Sequence, residues 1–157
     1  MRFSKHSLPI LYILLIWCCD TNTVQAGKIV FPTAKPEKSP TALYMDSLGL
    51  IDVTELDSSL VVKLMYTQPD NFTGEVLYDN LSEAYLHPDA AHALVKAQKI
   101  LKKLYPSYSL LIYDAARPMS VQKKMWNVVR GTPKYKYVSN PNRGGGLHNY
   151  GLAVDVS

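Results

Sequence analysis

An α+β domain is the class this chain predicts, on three observations. Segments of strand character and helical character follow one another as strand, helix, strand, helix, loop, strand. Both helical segments open at a proline, Pro88 or Pro118, where the missing N–H is no loss. A chain of 157 residues also has one domain as its default expectation.

Residues 1–26 stand apart from that domain. They begin with Arg2 and Lys5, run apolar from Leu8 to Cys19, turn polar and reach the small-residue pattern Val24-Gln25-Ala26. This is the layout of a secretory signal, with an apolar run short for a transmembrane helix. A retained anchor is one alternative. Lipid attachment at Cys18 or Cys19 is another, opposed by the bulky Trp17, because a lipoprotein site wants a small residue there. The expectation is export to the periplasm with no stable membrane insertion after cleavage.

Residues 27–45 carry three prolines and no hydrophobic period, so they read as a linker, with the domain at 46–157. LVVKLMY, 60–66, is β-branched and apolar and predicts a strand; the turn-rich TQPDNFTGEVLYDN that follows predicts a long loop. In HPDAAHALVKAQKILKKLYP, Ala90, Leu94, Ala97, Leu101 and Leu104 recur at helical spacing and should face the core, while His92 aligns with Lys96, Lys99 and Lys103 on the wet face. SLLIYD, 109–114, predicts a strand buried on both faces. PMSVQKKMWNVVR predicts a helix with Val121, Met125, Val128 and Val129 inward and Gly131 closing it. The turn residues NPNRGGG lead to a final strand, LAVDVS.

Past Ala26, 15 Lys and Arg face 12 Asp and Glu, a balance too mild for nucleic-acid binding. Both cysteines lie before that point, so the domain has neither disulfides nor a cysteine nucleophile. The sequons at Asn71 and Asn80 matter only if the source glycosylates its secreted proteins. No sequence feature sets an oligomeric state.

Two stretches carry chemistry. His148 lies in a loop and Asp155 on the strand behind it; imidazole and carboxylate are both good zinc donors. Asp155 alternates with apolar residues, and burying an acid without a partner is expensive, which argues for a cation. A loop histidine and a hydrogen-bonded aspartate are the plainer alternative. Arg117 sits between a strand end and a helix start, where its forked donors could meet a carboxylate or a developing oxyanion; an Asp114–Arg117 ion pair bracing the turn competes with that reading. Glu83, His87 and His92 do not make a second metal site, because Pro88 keeps His87 out of the helix.

Together HNYGLAVD, YDAARPMSVQ and NFTGEVLY resemble the VanX-type D-alanyl-D-alanine dipeptidases, zinc enzymes related to D,D-carboxypeptidases and to the hedgehog fold. HNYGLAVD is similar to the family's H-x-x-G-x-A-x-D metal motif, and the other two to its D-x-x-R-P segment and its N-F-x-G loop. The resemblance runs from about Asp52 to Ser157. It implies a small antiparallel sheet with packed helices, a zinc cofactor held by His148 and Asp155, a D-amino-acid dipeptide substrate, and Arg117 as the oxyanion stabiliser. A D,D-carboxypeptidase acting on peptidoglycan stem peptides is the nearest alternative; a peptidoglycan-binding domain without activity is another.

The family also supplies a glutamate as general base and a further histidine ligand, both downstream of the first motif. Here no histidine follows His148 and all four glutamates precede it, and Gly146 stands where the family often has serine. The chain is therefore expected to lack the last strands, the general base and the third ligand. General-base help is typically worth about 10²–10⁴-fold, so these 157 residues alone are expected to be inactive.

Overall fold

The computed structural model describes residues 37–157. The signal segment 1–26 and residues 27–36 of the linker lie outside them. Among the described residues no helix is long and apolar enough to cross a membrane.

The first helix, α1 (Pro40–Ser47), corrects the linker boundary. Ser39 Oγ accepts from the Ala42 N–H at 3.1 Å, Pro40 takes the first helical position, and Ala42 and Met45 are buried in the core. The proline read as a breaker is a helix starter. Strand β1 (Ile51–Asp52) follows, and Asp52 caps the short α2 (Val53–Leu56) through the Thr54 N–H at 3.0 Å.

Residues 60–66 hold a strand only at Val61–Val62 (β2), after which the chain turns into a 3-10 segment at Met65–Thr67. The segment 68–84 is loop, as expected, and β3 (Tyr85–Leu86) ends it. Helix α3 (Pro88–Leu104) leads to β4 (Leu111–Asp114), α4 (Met119–Val129) and, after a series of 3-10 turns, β5 (Asp155–Val156).

The α+β class holds, but the larger sheet is mixed rather than antiparallel. β1 pairs with β3 antiparallel; in the second sheet, of order β2-β4-β5, β2 runs parallel to β4 while β5 is antiparallel to it. The parallel pair follows from the connection: the chain travels through α3 before returning as β4, and such a crossover brings a strand back in the same direction. β4 alternates half-buried and buried residues rather than burying both faces.

Two apolar clusters meet at this sheet, and Val62 packs against both. One gathers Val53, Leu60, Leu86, Leu94, Val95 and Ile112; the other gathers Met45, Leu77, Tyr78, Val121, Met125 and Val129. The inner face of α3 is Ala91, Leu94, Val95 and Gln98. Only Leu94 of the five residues assigned to it from sequence is fully buried; Ala97 and Leu104 point to solvent. Counting apolar residues alone missed Gln98. Its amide donates to Ser59 O (3.1 Å) and Ser59 Oγ (2.8 Å) and accepts from the Leu110 N–H (2.9 Å), so burial costs it no hydrogen bond. Val121, Met125 and Val129 of α4 are buried as expected, with Val128 half-buried.

Candidate active site

β4 ends at the buried Asp114, and the chain runs through buried Ala115 and Ala116 to Arg117 before α4 begins. One Asp114 oxygen accepts from the Tyr78 hydroxyl at 2.7 Å; the other forms an ion pair with Arg117 Nη2. The guanidinium also donates through Nη1 to Gln122 Oε1 at 2.9 Å and lies 5.3 Å from the centre of the Tyr66 ring. Its Nε is buried and has no hydrogen-bond partner among the described residues. Burial alone would lower the Arg117 pKa, but the Asp114 carboxylate reverses that and holds it raised. Tyr78 is also pushed well above its usual value, first by burial and then by the Asp114 charge. The brace and the candidate oxyanion donor are thus one residue: Asp114 fixes Arg117, and Arg117 lines the cleft.

His148 arrives from the 3-10 turn Leu147–Tyr150, and Gly151 ends that turn in the left-handed region at φ 67°. Only glycine fits there, because a Cβ would lie 2.7 Å from the His87 backbone nitrogen. Three bonds pin the turn: Arg117 N–H to His148 O at 2.8 Å, His87 N–H to Gly151 O at 2.9 Å, and Asn149 Nδ2 to Arg117 O at 2.9 Å. His148 Nδ1 lies 2.8 Å from Ala115 O, which can only accept. Nδ1 therefore carries the hydrogen, and the lone pair is on Nε2.

That Nε2 lies 3.6 Å from Asp155 Oδ1. Two donors on a tetrahedral zinc, each roughly 2.0–2.2 Å from it, stand about 3.3–3.6 Å apart, so the pair fits one edge of such a site. Asp114, His148 and Asp155 do offer donor atoms within 4.8 Å of one another. Asp114, however, approaches the Nδ1 edge of the imidazole, at 3.7 Å, and both its oxygens are engaged. In this arrangement it braces the cleft.

One expectation fails here. The Asp155 side chain is 58% exposed, so the cost of burying it gives no argument for a cation. Among the described residues β5, two residues long, pairs with β4 alone, and Leu152 and Val156 are exposed too. The buried acid of the site is Asp114.

Arg117, His148 and Asp155 share one cleft of about 270 Å³, walled by Tyr66, Phe72, Met125 and Tyr137. Phe72 comes from the NFTG stretch, where Asn71 ties the loop by donating to Gln68 O (2.6 Å) and Glu75 O (2.8 Å). Ser139 and Gly146 line it side by side; a Cβ on residue 146 would come within 2.6 Å of Ser139 Oγ. None of the four glutamates lines the cleft, and neither do His87 and His92. His87 caps α3 through the Asp89 N–H, and His92 bonds Pro88 O on the outer face. Sequence reading missed Tyr78, whose hydroxyl reaches Asp114 across 36 positions, and Asn149, which ties the His148 turn to Arg117. Only the place of Asn149 inside HNYG pointed to it.

A small α+β domain with a histidine–carboxylate pair and a braced arginine in one cleft is the frame of a metal-dependent hydrolase. The chain belongs to the peptidase M15 family: the family model described as D-ala-D-ala dipeptidase matches residues 46–155. It is also 32% identical, over 112 residues, to the D-alanyl-D-alanine dipeptidase of Escherichia coli (strain K12), covering 71% of this chain and 54% of that protein. The chain thus spans about half the length of the curated relative it matches.

Proposed function

We propose that, in the protein as its source makes it, this cleft serves hydrolysis of the peptide bond of D-Ala-D-Ala in cell-wall metabolism, with His148 Nε2 and Asp155 supplying two of the ligands of a zinc ion. The observation that carries the reading is the convergence of that donor pair and Arg117 on one small cleft. The peptidase M15 match and the name of the similar Escherichia coli protein support the substrate class. Zinc, when bound, polarises a carbonyl and lowers the pKa of a water molecule. The Ala115 carbonyl holds the imidazole with Nε2 toward Asp155, where the two would hold the ion, and Arg117, held protonated by Asp114, supplies a fixed positive charge for the developing oxyanion. Tyr66 and Phe72 wall the reacting bond from water. A cleft of this volume lies at the lower end of small-molecule sites and suits a dipeptide. We propose, further, that residues 1–26 direct export to the periplasm.

The test is D-Ala release from D-Ala-D-Ala by the protein as its source makes it, before and after chelation, beside a stem pentapeptide. Chelator-sensitive cleavage of the dipeptide is expected, with Arg117→Ala lowering kcat by about 10²–10³-fold. Preferential turnover of the stem peptide would move the reading to a D,D-carboxypeptidase. Cleavage that persists in His148→Ala after chelation would refute the site.

A further inference from the structure

The face that α3 turns to solvent is not uniformly polar. Lys96, Lys99 and Lys103 form a ridge along it, and no ion pair to any of them occurs among the described residues. The carboxylate whose field reaches the neighbouring Lys99 and Lys102 is Asp57, which already accepts from the Ser59 hydroxyl and N–H. Beside the ridge, at helical spacing, stand Ile100 and Leu104, 51% and 67% exposed. The chain then leaves the helix through Tyr105 and Tyr108, both more than half exposed and packed edge to face with ring centres 5.9 Å apart.

We propose that this end of α3 docks the domain on an anionic lipid surface. Two stripes side by side define the chemistry. A lysine ridge with no close ion pair among the described residues attracts a negatively charged headgroup plane, and an apolar stripe beside it gains only where hydrocarbon lies just beneath the charge. Tyrosines, with an apolar ring and a polar tip, belong at the boundary between the two. A soluble polyanion would use the lysines and leave Ile100 and Leu104 in water. A second copy of the chain, paired through the same face, would set one lysine ridge against another. Large apolar side chains scattered singly on a surface need no explanation, but this set lies at helical spacing beside a ridge of three exposed lysines.

The placement leaves the cleft open. Gln98 on α3 ties that helix to Leu110, at the start of β4, while Arg117 and His148 gather past the end of the same strand. Docking therefore holds the domain by the end away from its cleft. It does not depend on the dipeptidase reading.

The experiment is lysine acetylation footprinting of the full chain with vesicles of phosphatidylcholine alone or with about a third phosphatidylglycerol. Residue-resolved footprints report which face meets the lipid, even if residues 1–26 also bind it. Anionic vesicles should slow acetylation of Lys96, Lys99 and Lys103 by about fivefold or more, neutral vesicles should not, and Lys123 and Lys136 should stay unchanged. The Lys99→Gln/Lys103→Gln variant should need about thirtyfold more lipid for the same protection of Lys96. Ile100→Ser/Leu104→Ser, at exposed positions, should bind more weakly while keeping its melting temperature. Absence of protection, protection spread over all lysines, or equal protection by neutral vesicles would overturn the proposal. Protection by soluble polyphosphate that the serine variant retains would assign the face to a polyanion instead. Protection that grows with protein concentration without lipid would assign it to self-association.

Discussion

Asp114→Asn removes one negative charge from a place with almost no water. Asp114 is 1% exposed and its partner Arg117 is 8% exposed. The substitution keeps the shape of the side chain, so no cavity opens. What changes is that the guanidinium remains buried with one amide oxygen, Gln122 Oε1, a ring face and a sulfur around it. Removing one partner of a buried pair typically costs about 3–5 kcal/mol. The asparagine can still accept from Tyr78 or from Arg117, so the lower end, about 3 kcal/mol, is the expected loss. For a domain of this size that corresponds to roughly 10–15 °C in Tm. The assay is urea unfolding of the full chain followed by circular dichroism, run as a cycle with Arg117→Gln and the double variant. Once the arginine is gone the carboxylate loss should matter little, giving a coupling of about 2–3 kcal/mol. A cost below about 1 kcal/mol for Asp114→Asn, with purely additive effects in the double variant, would refute the view that this pair braces the cleft.

Two further outcomes follow from the same network and its loop. Gly151→Ala should cost more than about 2 kcal/mol, combining a left-handed backbone with a Cβ pressed on the His87 nitrogen, whereas Gly49→Ala, at φ 74° with open space around it, should cost about 1 kcal/mol; equal losses in denaturant titrations would remove the steric part of the argument. Tyr78 keeps its proton in the folded state beyond the pH at which the unfolded chain loses it, so its contribution is intact below about pH 10 and is lost above it. Stability should therefore fall more steeply from pH 10 to 11 in the native chain than in Tyr78→Phe, by up to about 1.4 kcal/mol per pH unit; parallel slopes for the two proteins would contradict a raised Tyr78.

What the sequence disclosed depended on how local the cause was. Pro88 announced its helix from the first helical position, while Pro118 stands one place earlier, as the extended residue just before Met119; in both cases a proline's effect is confined to its own turn. Pro40, one of three prolines in a polar stretch, reads as a breaker, yet the Ser39 cap beside it makes it a helix starter. Gln98 and Gln122 escaped notice as core residues, since what lets them be buried is a partner elsewhere: Ser59 and Leu110 for one, Arg117 for the other. The His148–Asp155 pair was legible because eight consecutive residues carry it. Tyr78 was not, because nothing near it in the chain indicates that Asp114 will stand opposite. Asp155 was placed on a buried strand because its neighbours are apolar, yet with a strand partner on one side only, the same residues remain exposed.

The Ala115–Arg117 segment has a mechanical consequence. The His148 ring rests on the Ala115 carbonyl, the His148 carbonyl rests on the Arg117 amide, and Asn149 holds the Arg117 carbonyl. Imidazole and guanidinium are thus carried on a single short stretch of main chain. If the end of β4 shifts as the sheet flexes, both groups ride with it, and the spacing between them changes far less than the position of either. Thermal motion in this region would displace the reactive pair as a unit relative to the walls of the cleft.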